Sequence, residues 1–248
     1  MTRTTSAQLR PDYGIDAPGV IRNLLLVAVA LVVAGYLTRH GIRIGRGAVV
    51  IQVHQMFYTI AGACVVEALL MVLYARVGKF RHRDQILALH DWRGDEQVLD
   101  VGTGRGLLLI GAARRLTTGT AVGIDIWRQE DLTGNTEDAA LRNMRLEGVD
   151  RLATLRSMPA QAMTFGDNSF DVVVSNLCLH NIDARADRDA ACREIVRVLK
   201  PGGVALISDF RHTEQYAAAF RAFGCTARRT GLDFWTFPWL RTVVATKN

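Results

Sequence analysis

Two long apolar runs open the chain, and each has the length of a membrane-spanning helix. The first covers residues 20–38, with one charged residue, Arg22, near its start. The second covers about residues 49–75, with a single acidic residue, Glu67. A helix rises about 1.5 Å per residue, so about 20 apolar residues cross a hydrocarbon core of about 30 Å. The pattern predicts a two-helix hairpin joined by a short basic linker at residues 39–47.

The charges around this hairpin predict its orientation. The basic residues at its outer ends are Arg3, Arg10, Arg22, Arg76, Lys79, Arg81 and Arg83, and those in the linker are Arg39, Arg43 and Arg46. Because positively charged segments stay on the cytoplasmic side of a membrane, both ends and the domain that follows are expected there. Two alternatives stay open. The linker arginines also suit a hairpin that lies in the membrane interface, and the first run alone also suits a signal peptide.

Glu67 is an ionisable residue inside a segment that is predicted to lie in a membrane. Such residues are rare and are functional candidates by default. The structural alternative is a protonated carboxyl that is hydrogen-bonded to Gln52, to His54 or to a neighbouring helix. The rest of the hairpin has no feature of a transport pathway, which favours the structural alternative.

After about residue 80 the pattern changes to short apolar strands that alternate with helical stretches. The predicted strands are residues 97–102, 121–126, 153–158, 170–176, 203–210, 226–231 and 241–247, and the predicted helices are 106–116, 136–147 and 184–199. This alternation is typical of an α/β doubly wound, mainly parallel sheet with helices on both faces. The last two strands are joined by a short loop without a helix, so the final strand should pair antiparallel.

Three units are therefore expected along the chain. Residues 1–19 form a polar N-terminal tail, expected to be poorly ordered. Residues 20–78 form the hairpin, and residues 79–248 form the α/β domain.

The composition excludes several classes of protein. Of the 248 residues, 49% are hydrophobic and 22% are charged, which excludes a disordered chain. The four cysteines are far apart and form no CxxC pair, so neither a disulfide framework nor a zinc site is expected, and no other metal site is predicted. The net charge is +6, yet no basic stripe is interleaved with aromatics, so a membrane surface rather than a nucleic acid is the expected partner.

A glycine-rich loop leaves the first predicted strand and opens a helix. It reads Asp100-Val-Gly102-Thr-Gly104-Arg-Gly106. Alternating glycines let the backbone turn tightly and approach a ligand closely. A dinucleotide fingerprint would need Gly or Ala at Leu107, and the Gly-Lys-Ser/Thr of a phosphate loop is also absent. The loop suits a cofactor without a pyrophosphate; a tight strand-to-helix turn is the purely structural alternative.

Polar residues also follow two other strands. Asp125 ends the second strand, where a carboxylate can accept hydrogen bonds from both hydroxyls of a ribose or can cap a helix. Polar groups gather after the strand at residues 170–176, at the sheet edge where ligands bind in such folds; they are Ser175, Asn176, His180 and Asn181.

Four segments together carry a resemblance to a known family: VLDVGTGRG, GIDI, DNSFDVVVSNLCLHNI and EIVRVLKPGG. With them, residues 80–248 resemble the class I S-adenosylmethionine-dependent methyltransferases, in the subgroup that includes ubiquinone/menaquinone and sterol methyltransferases. The resemblance implies a Rossmann-like methyltransferase fold with seven strands, the last one reversed, and S-adenosylmethionine as the cofactor. It also implies site residues: Asp100, Gly102, Gly104 and Gly106 at the methionine part, Asp125 at the ribose, and Asn176 and Leu177 along the methionyl side by backbone contacts.

The adenine end of the implied site departs from the family pattern. Family members often have an aspartate after the third strand, and here Pro159 takes its place. The backbone N–H of Ala160 can still reach the ring, with Gln161 as a candidate for the amino group. Ile126 and Trp127 can pack on its faces.

The methyl acceptor is predicted from less specific features. An oxygen or carbon acceptor usually needs a general base, and His180 and His212 both follow strands at the carboxyl edge of the sheet. His180 could equally make a structural hydrogen bond, and His212 could cap a helix. Residues 127–135 could form a lid over the cofactor. Four aromatic residues crowd residues 234–239, which suits either a packed loop tip or an interfacial anchor.

The leading hypothesis is a membrane-anchored methyltransferase with a lipophilic acceptor such as a quinone, sterol, prenyl compound or lipid. One alternative is a methyltransferase for a small thiol, amine or metalloid. The other is a membrane scaffold that binds S-adenosylmethionine without catalysis.

Overall fold

The computed structural model describes residues 10–44 and 49–248. Residues 1–9 of the predicted tail, with Arg3, lie outside the described residues, as does Arg46 of the linker.

The predicted hairpin consists of two helices, α1 (Pro18–Leu37) and α2 (His54–Leu73). Between them, strands β1 (Ile42–Ile44) and β2 (Val49–Ile51) form an antiparallel pair. The second helix therefore begins five residues later than the predicted residue 49. The β-branched residues that begin the second apolar run pair as a strand, and β-branched side chains favour strands.

Small residues fill the contact between α1 and α2. The buried residues of the two helices are Ala28, Gly35, Ala61 and Ala68. A Cβ on Gly35 would lie 2.6 Å from the ring of Tyr58, so the helices approach closely at this point. Small residues at the contact are typical of helix pairs in membranes.

The second hairpin helix runs into the α/β domain without a break. A π-helical turn, Tyr74–Gly78, joins α2 to α3 (Lys79–Leu87). Tyr74 and Leu87 are both buried. Lys79, counted above among the orienting charges, is also buried in the domain, where it contacts the N-terminal segment.

The domain contains the predicted seven-stranded sheet. Its strands are β3 (Gln97–Val101), β4 (Thr120–Asp125), β5 (Ala153–Ser157), β6 (Phe170–Asn176), β7 (Leu199–Asp209), β8 (Cys225–Arg229) and β9 (Arg241–Lys247), in the order β5-β4-β3-β6-β7-β9-β8. β9 pairs antiparallel with both β7 and β8, as predicted for the final strand. The predicted doubly wound, mainly parallel sheet is confirmed.

Helices cover both faces of this sheet. They are α3, α4 (Leu107–Ala113), α5 (Glu137–Leu146), α6 (Arg185–Val198) and α7 (Thr213–Ala222), and separate hydrophobic clusters lie on the two faces. α3 and α7 were not among the helices predicted from the sequence. β4 and β6 flank β3, and this reversal of strand order opens a crevice at the carboxyl ends of the strands.

Residues 10–17 of the predicted tail pack against the domain, so the expectation of poor order is wrong there. Tyr13 is 6% exposed, and its ring packs edge-on against Phe80 with centroids 5.5 Å apart. The Lys79 ammonium donates to the carbonyls of Tyr13 and Gly14, each at 2.7 Å. This N-terminal segment thereby closes one side of the crevice.

Candidate functional site

A cavity of about 990 Å³ lies at the carboxyl ends of the central strands. The glycine loop and the ends of β4 and β6 form its floor, and residues 128–135 form one wall. Tyr13 and Asp16 of the N-terminal segment form another wall. The domain ends of α1 and α2 also line it, together with residues of the loops that follow β5, β6 and β7 and with Phe237 and Pro238. Small-molecule sites usually have volumes of about 300–1,000 Å³, so the cavity has room for a cofactor together with part of a second molecule.

The glycine loop has the conformation that requires glycine. Gly102, Gly104 and Gly106 have φ angles of 74°, 53° and 87°. A Cβ on Gly102 would lie 2.2 Å from the Cys178 Sγ and 2.4 Å from the Cys178 Cβ. A side chain at position 102 is therefore excluded by both the backbone angle and the neighbouring strand end.

Asp100 lies fully buried below the loop. One carboxylate oxygen, Oδ2, accepts from the Thr103 hydroxyl at 2.8 Å and from the Leu109 N–H at 2.9 Å. The other oxygen, Oδ1, is buried without a partner among the described residues, and Asp100 lines the cavity. Burial raises the pKa of Asp100 to about 7, against the lowering effect of its hydrogen bonds. An unpaired buried carboxylate oxygen of this kind suits a cationic partner.

Asp125 connects the glycine loop to the end of β4. Its Oδ2 accepts from the Gly104 N–H at 2.8 Å, and its Oδ1 accepts from the Trp127 N–H at 2.6 Å. The carboxylate also lines the cavity; its Oδ2 keeps a second lone pair for a ligand, and the second lone pair of Oδ1 has only a long hydrogen bond of 3.4 Å from the Asn135 amide. Asp125 can therefore hold the loop and accept from the hydroxyls of a sugar at the same time.

Of the residues predicted at the adenine end, all but Trp127 line the cavity. Ile126, Ala160 and Gln161 line it, and the Ile126 side chain is about half exposed. Trp127 instead directs its indole N–H to the Ser157 hydroxyl at 2.7 Å. In this geometry, the Trp127 ring is therefore not placed to pack on an adenine ring.

The end of β6 supplies polar and strained backbone groups. Leu177 has a φ angle of 53°, which is uncommon for a residue with a side chain. Asn176 and Leu177 both line the cavity, and the Asn176 Oδ1 is buried without a partner among the described residues. Together with Asp100 Oδ1, this makes two buried polar atoms at the cavity without a partner in the described part of the chain.

His180 lies in the cavity beside a buried carboxylate. Its Nδ1 is 2.9 Å from the Asp209 Oδ1, at an angle outside that of a hydrogen bond, and its backbone N–H donates to the Asp209 Oδ2 at 3.1 Å. The Phe210 ring packs edge-on against the imidazole with centroids 4.7 Å apart. A carboxylate beside Nδ1 orients the ring and leaves Nε2 as the nitrogen that can accept a proton.

His212 lies outside the group of residues that line the cavity. It is the exposed N-cap residue of α7, with a φ angle of 58°. Its ring packs at the edge of Tyr216, with centroids 6.4 Å apart. Of the two candidate histidines, the structure places only His180 at the cavity, whereas His212 lies at the start of α7, the capping position that was its structural alternative.

The hairpin contributes residues to the cavity that the sequence analysis did not assign to the site. From α1 these are Gly19, Val20 and Asn23, and from α2 and the π-helical turn they are Glu67, Met71 and Tyr74. The spacing of Glu67, Met71 and Tyr74 places them on one face of a helix. The spacing of these residues was visible in the sequence. However, a helix that is apolar on all sides has no polar pattern to show which of its faces lines a cavity.

Comparison with known proteins assigns a family to the central part of the domain. Residues 99–207 match the family model described as a methyltransferase domain. The prediction of a methyltransferase domain is confirmed. The match covers less than half of the chain and includes the glycine loop, Asp125 and His180.

Relatives and solved structures agree with this methyltransferase domain. The ubiquinone/menaquinone biosynthesis C-methyltransferase of Hydrogenovibrio crunogenus is 34% identical over 119 residues, 48% of this chain and 43% of that protein. The demethylmenaquinone methyltransferase of Tropheryma whipplei is 34% identical over 127 residues, 50% of this chain and 46% of that protein. The chain thus spans less than half the length of these relatives.

The fold is that of S-adenosylmethionine-dependent methyltransferases. The magnesium protoporphyrin IX methyltransferase of Synechocystis, solved with bound S-adenosylmethionine, superposes with a TM-score of 0.56 at 18% identity, over 70% of this chain and 81% of that one. The domain has residues that could hold this cofactor: the unpaired buried Asp100 oxygen could accept from its ammonium, the glycine loop leaves room for its methionine part, and the Asp125 carboxylate could accept from its ribose. The predicted Rossmann-like methyltransferase fold and the predicted cofactor are confirmed.

Proposed function

We propose that the protein is a membrane-anchored, S-adenosylmethionine-dependent methyltransferase with a lipophilic acceptor. The observation that carries the proposal is a shared cavity, which is lined by the glycine loop and by both hairpin helices. An acceptor dissolved in a bilayer would reach the methyl donor along the hairpin without crossing water. The basic residues at the hairpin's outer ends support a cytoplasmic position for the domain.

The surface of the hairpin supports the membrane anchor. Only 11% of the most apolar window of each helix is buried. Leu26, Val29, Leu37 and Leu69 are each more than 60% exposed. A core helix of a soluble domain buries its apolar face, whereas these helices present apolar side chains on all sides, which suits lipid.

An aromatic loop beside the hairpin supports the same arrangement. Phe234, Trp235 and Trp239 are 69%, 76% and 54% exposed. The Arg81 guanidinium lies over the Trp235 ring, 5.1 Å from its centroid. Exposed aromatic residues next to arginine are typical of the membrane interface. Phe237 of the same loop lines the cavity, so the loop joins the membrane surface to the site.

The residues of the cavity supply what methyl transfer needs. The cofactor brings the electrophilic methyl group on a cationic sulfonium. Acidic side chains around it, Asp100, Asp125, Glu130 and Asp131, suit that charge. His180, oriented by Asp209, would take the proton from the acceptor. Enclosure by the N-terminal segment and residues 128–135 keeps water from competing for the methyl group.

The acceptor class is tested by following labelled methyl groups. Full-length protein in phosphatidylcholine vesicles that contain a total bacterial lipid extract is incubated with methyl-labelled S-adenosylmethionine. We expect label in the organic phase. Label in volatile or water-soluble products would show a small thiol, amine or metalloid acceptor, and cofactor binding without any transfer would show a non-enzymatic scaffold.

Asp125→Ala is the control variant for this assay, because its cofactor binding should be impaired. The variant removes acceptors for the ribose and the bond to the Gly104 N–H. Hydrogen bonds to a charged group contribute about 1.5–3 kcal/mol, so we expect cofactor affinity to fall about tenfold to hundredfold by calorimetry, with a matching loss of transfer at low cofactor concentration. Unchanged affinity would contradict the placement of the ribose at Asp125.

Cofactor affinity should also decrease as the pH falls through about 7, the pKa that burial gives Asp100 in the free protein. The cofactor's ammonium favours the carboxylate, so the pKa of Asp100 is lower in the complex than in the free protein. Binding therefore releases a proton at low pH, and affinity falls by up to about tenfold per pH unit below about pH 7. Calorimetry at several pH values measures this slope, which Asp100→Asn should flatten. An equal slope in both proteins would contradict the assignment.

A further inference from the structure

Two polar side chains of the hairpin lie at the same height on the cavity wall. Asn23 is on α1 and Glu67 is on α2, and both line the cavity. At about 1.5 Å per residue, Asn23 lies about 7.5 Å from the start of α1 and Glu67 about 9 Å from the end of α2. These are the ends of the helices that meet the domain. The two side chains thus lie at the same level of the cavity, within two helical turns of the helix ends that meet the domain.

Among the described residues, no hydrogen-bonding partner explains why the Glu67 carboxyl lies in an apolar helix. Glu67 is an exposed residue of α2, and its carboxyl takes part in no side-chain hydrogen bond or ion pair within the part of the chain that the structure describes. The predicted partners Gln52 and His54 are at the opposite end of the hairpin, since 13 residues of helix separate His54 from Glu67 by about 20 Å. A carboxyl group in an apolar segment is costly, which argues for a partner that arrives from outside.

Apolar residues connect these polar groups to the cofactor site. Met71 and Tyr74 continue the face of Glu67 toward the domain, and Val20 does so on α1. A molecule that enters along the hairpin therefore passes one polar level before it reaches the glycine loop. Its apolar part would remain beside the exposed apolar surface of the hairpin.

We infer that Glu67 and Asn23 bind a hydroxyl group of the methyl acceptor and thereby position it in the cavity. The acceptor class is then an apolar molecule that carries a hydroxyl group. This inference rests on the proposed function. Glu67 accepts the hydrogen bond from the hydroxyl, and the Asn23 amide can donate to the hydroxyl oxygen. Both would be positioning residues, remote from the transferred methyl group.

The first experiment compares Glu67→Leu, Glu67→Gln and Thr59→Leu in the labelled-methyl assay described above. Thr59 is an exposed polar residue on the same helix that does not line the cavity, so it controls for the change in hydropathy. In Glu67→Leu we expect the amount of lipid extract that gives half-maximal rate to rise at least tenfold, with cofactor affinity unchanged. Glu67→Gln should recover most of the loss, and Thr59→Leu should behave as the unaltered protein. Unaltered behaviour of Glu67→Leu, or an equal loss in Thr59→Leu, would overturn the inference.

The second experiment does not depend on turnover. Dicyclohexylcarbodiimide, an apolar reagent, adds a carboxyl O–H across its C=N bond, and peptide mass spectrometry measures the adduct at Glu67 in phosphatidylcholine vesicles. We expect 4-dodecylphenol to slow this modification at least fivefold and dodecylbenzene, which lacks the hydroxyl, to leave it unchanged. Equal protection by both compounds, protection by neither, or protection by dodecylamine alone would overturn the assignment. If the unaltered protein transfers no methyl label, the proposed function fails while this protection measurement still decides the binding site.

Discussion

Gly102→Ala should abolish detectable cofactor binding. The new Cβ would lie 2.2 Å from the Cys178 Sγ and 2.4 Å from the Cys178 Cβ, and the φ angle of 74° adds strain. Because the Cβ of Cys178 cannot rotate away, the loop or the end of β6 must move. That movement displaces the backbone around Asp100 and Leu177, and we expect an affinity loss of about a hundredfold or more, since close-packed sites do not absorb such shifts.

Two variants separate the causes of this loss, with calorimetry as the measurement. Gly202→Ala has the same kind of backbone strain, with a φ angle of 77°, but a Cβ there meets nothing within 4 Å. Gly202→Ala should lower the free energy of unfolding by about 1 kcal/mol and leave cofactor affinity unchanged. Cys178→Gly combined with Gly102→Ala removes the steric conflict and should restore binding in part. Tight binding by Gly102→Ala alone would show that the cofactor does not approach this loop.

His180→Ala should slow methyl transfer about a hundredfold to ten-thousandfold, the contribution typical of a general base. Cofactor affinity should stay within about twofold, because the residues assigned to the methionine and ribose parts remain in place. Single-turnover rates at saturating cofactor measure the effect directly.

The chain offers a matched control and a second test of this role. His212→Ala removes the other candidate histidine, which is exposed at the start of α7, and should leave the rate unchanged. Asp209→Asn keeps the size of the buried side chain but orients the His180 ring less firmly. The rate of this variant should therefore lie between the rates of His180→Ala and His212→Ala. A full rate in His180→Ala, or a larger loss in His212→Ala, would contradict the assignment.

The sheet of the domain was predictable because its signals are local. Each strand is a short apolar run bounded by turn residues, and the glycine loop stands directly between β3 and α4. The antiparallel final strand followed from the short loop before it. The helical hairpin was equally visible from its apolar length, although the pairing of β1 with β2 moved the start of its second helix.

Contacts between distant parts of the chain were not predictable in the same way. Residues 10–17 are polar and short, and their burial depends on partners such as Lys79 and Asn143 far along the chain. His180 and His212 each follow a strand, and their difference arises from the separate local turns that place only one of them beside Asp209. The sharing of a cavity by the hairpin and the glycine loop likewise depends on tertiary packing alone.

The unbroken helical path from His54 to Leu87 has a consequence for how the enzyme meets its surroundings. A loosely linked domain would swivel freely and would present its opening to the lipid only part of the time. Here the hydrogen-bonded backbone of the π-helical turn resists twisting, so the methyltransferase domain keeps one orientation relative to the hairpin. In the proposed membrane-anchored arrangement, the opening would keep one orientation toward the bilayer, and encounter with an acceptor would become a two-dimensional search in the plane of the bilayer.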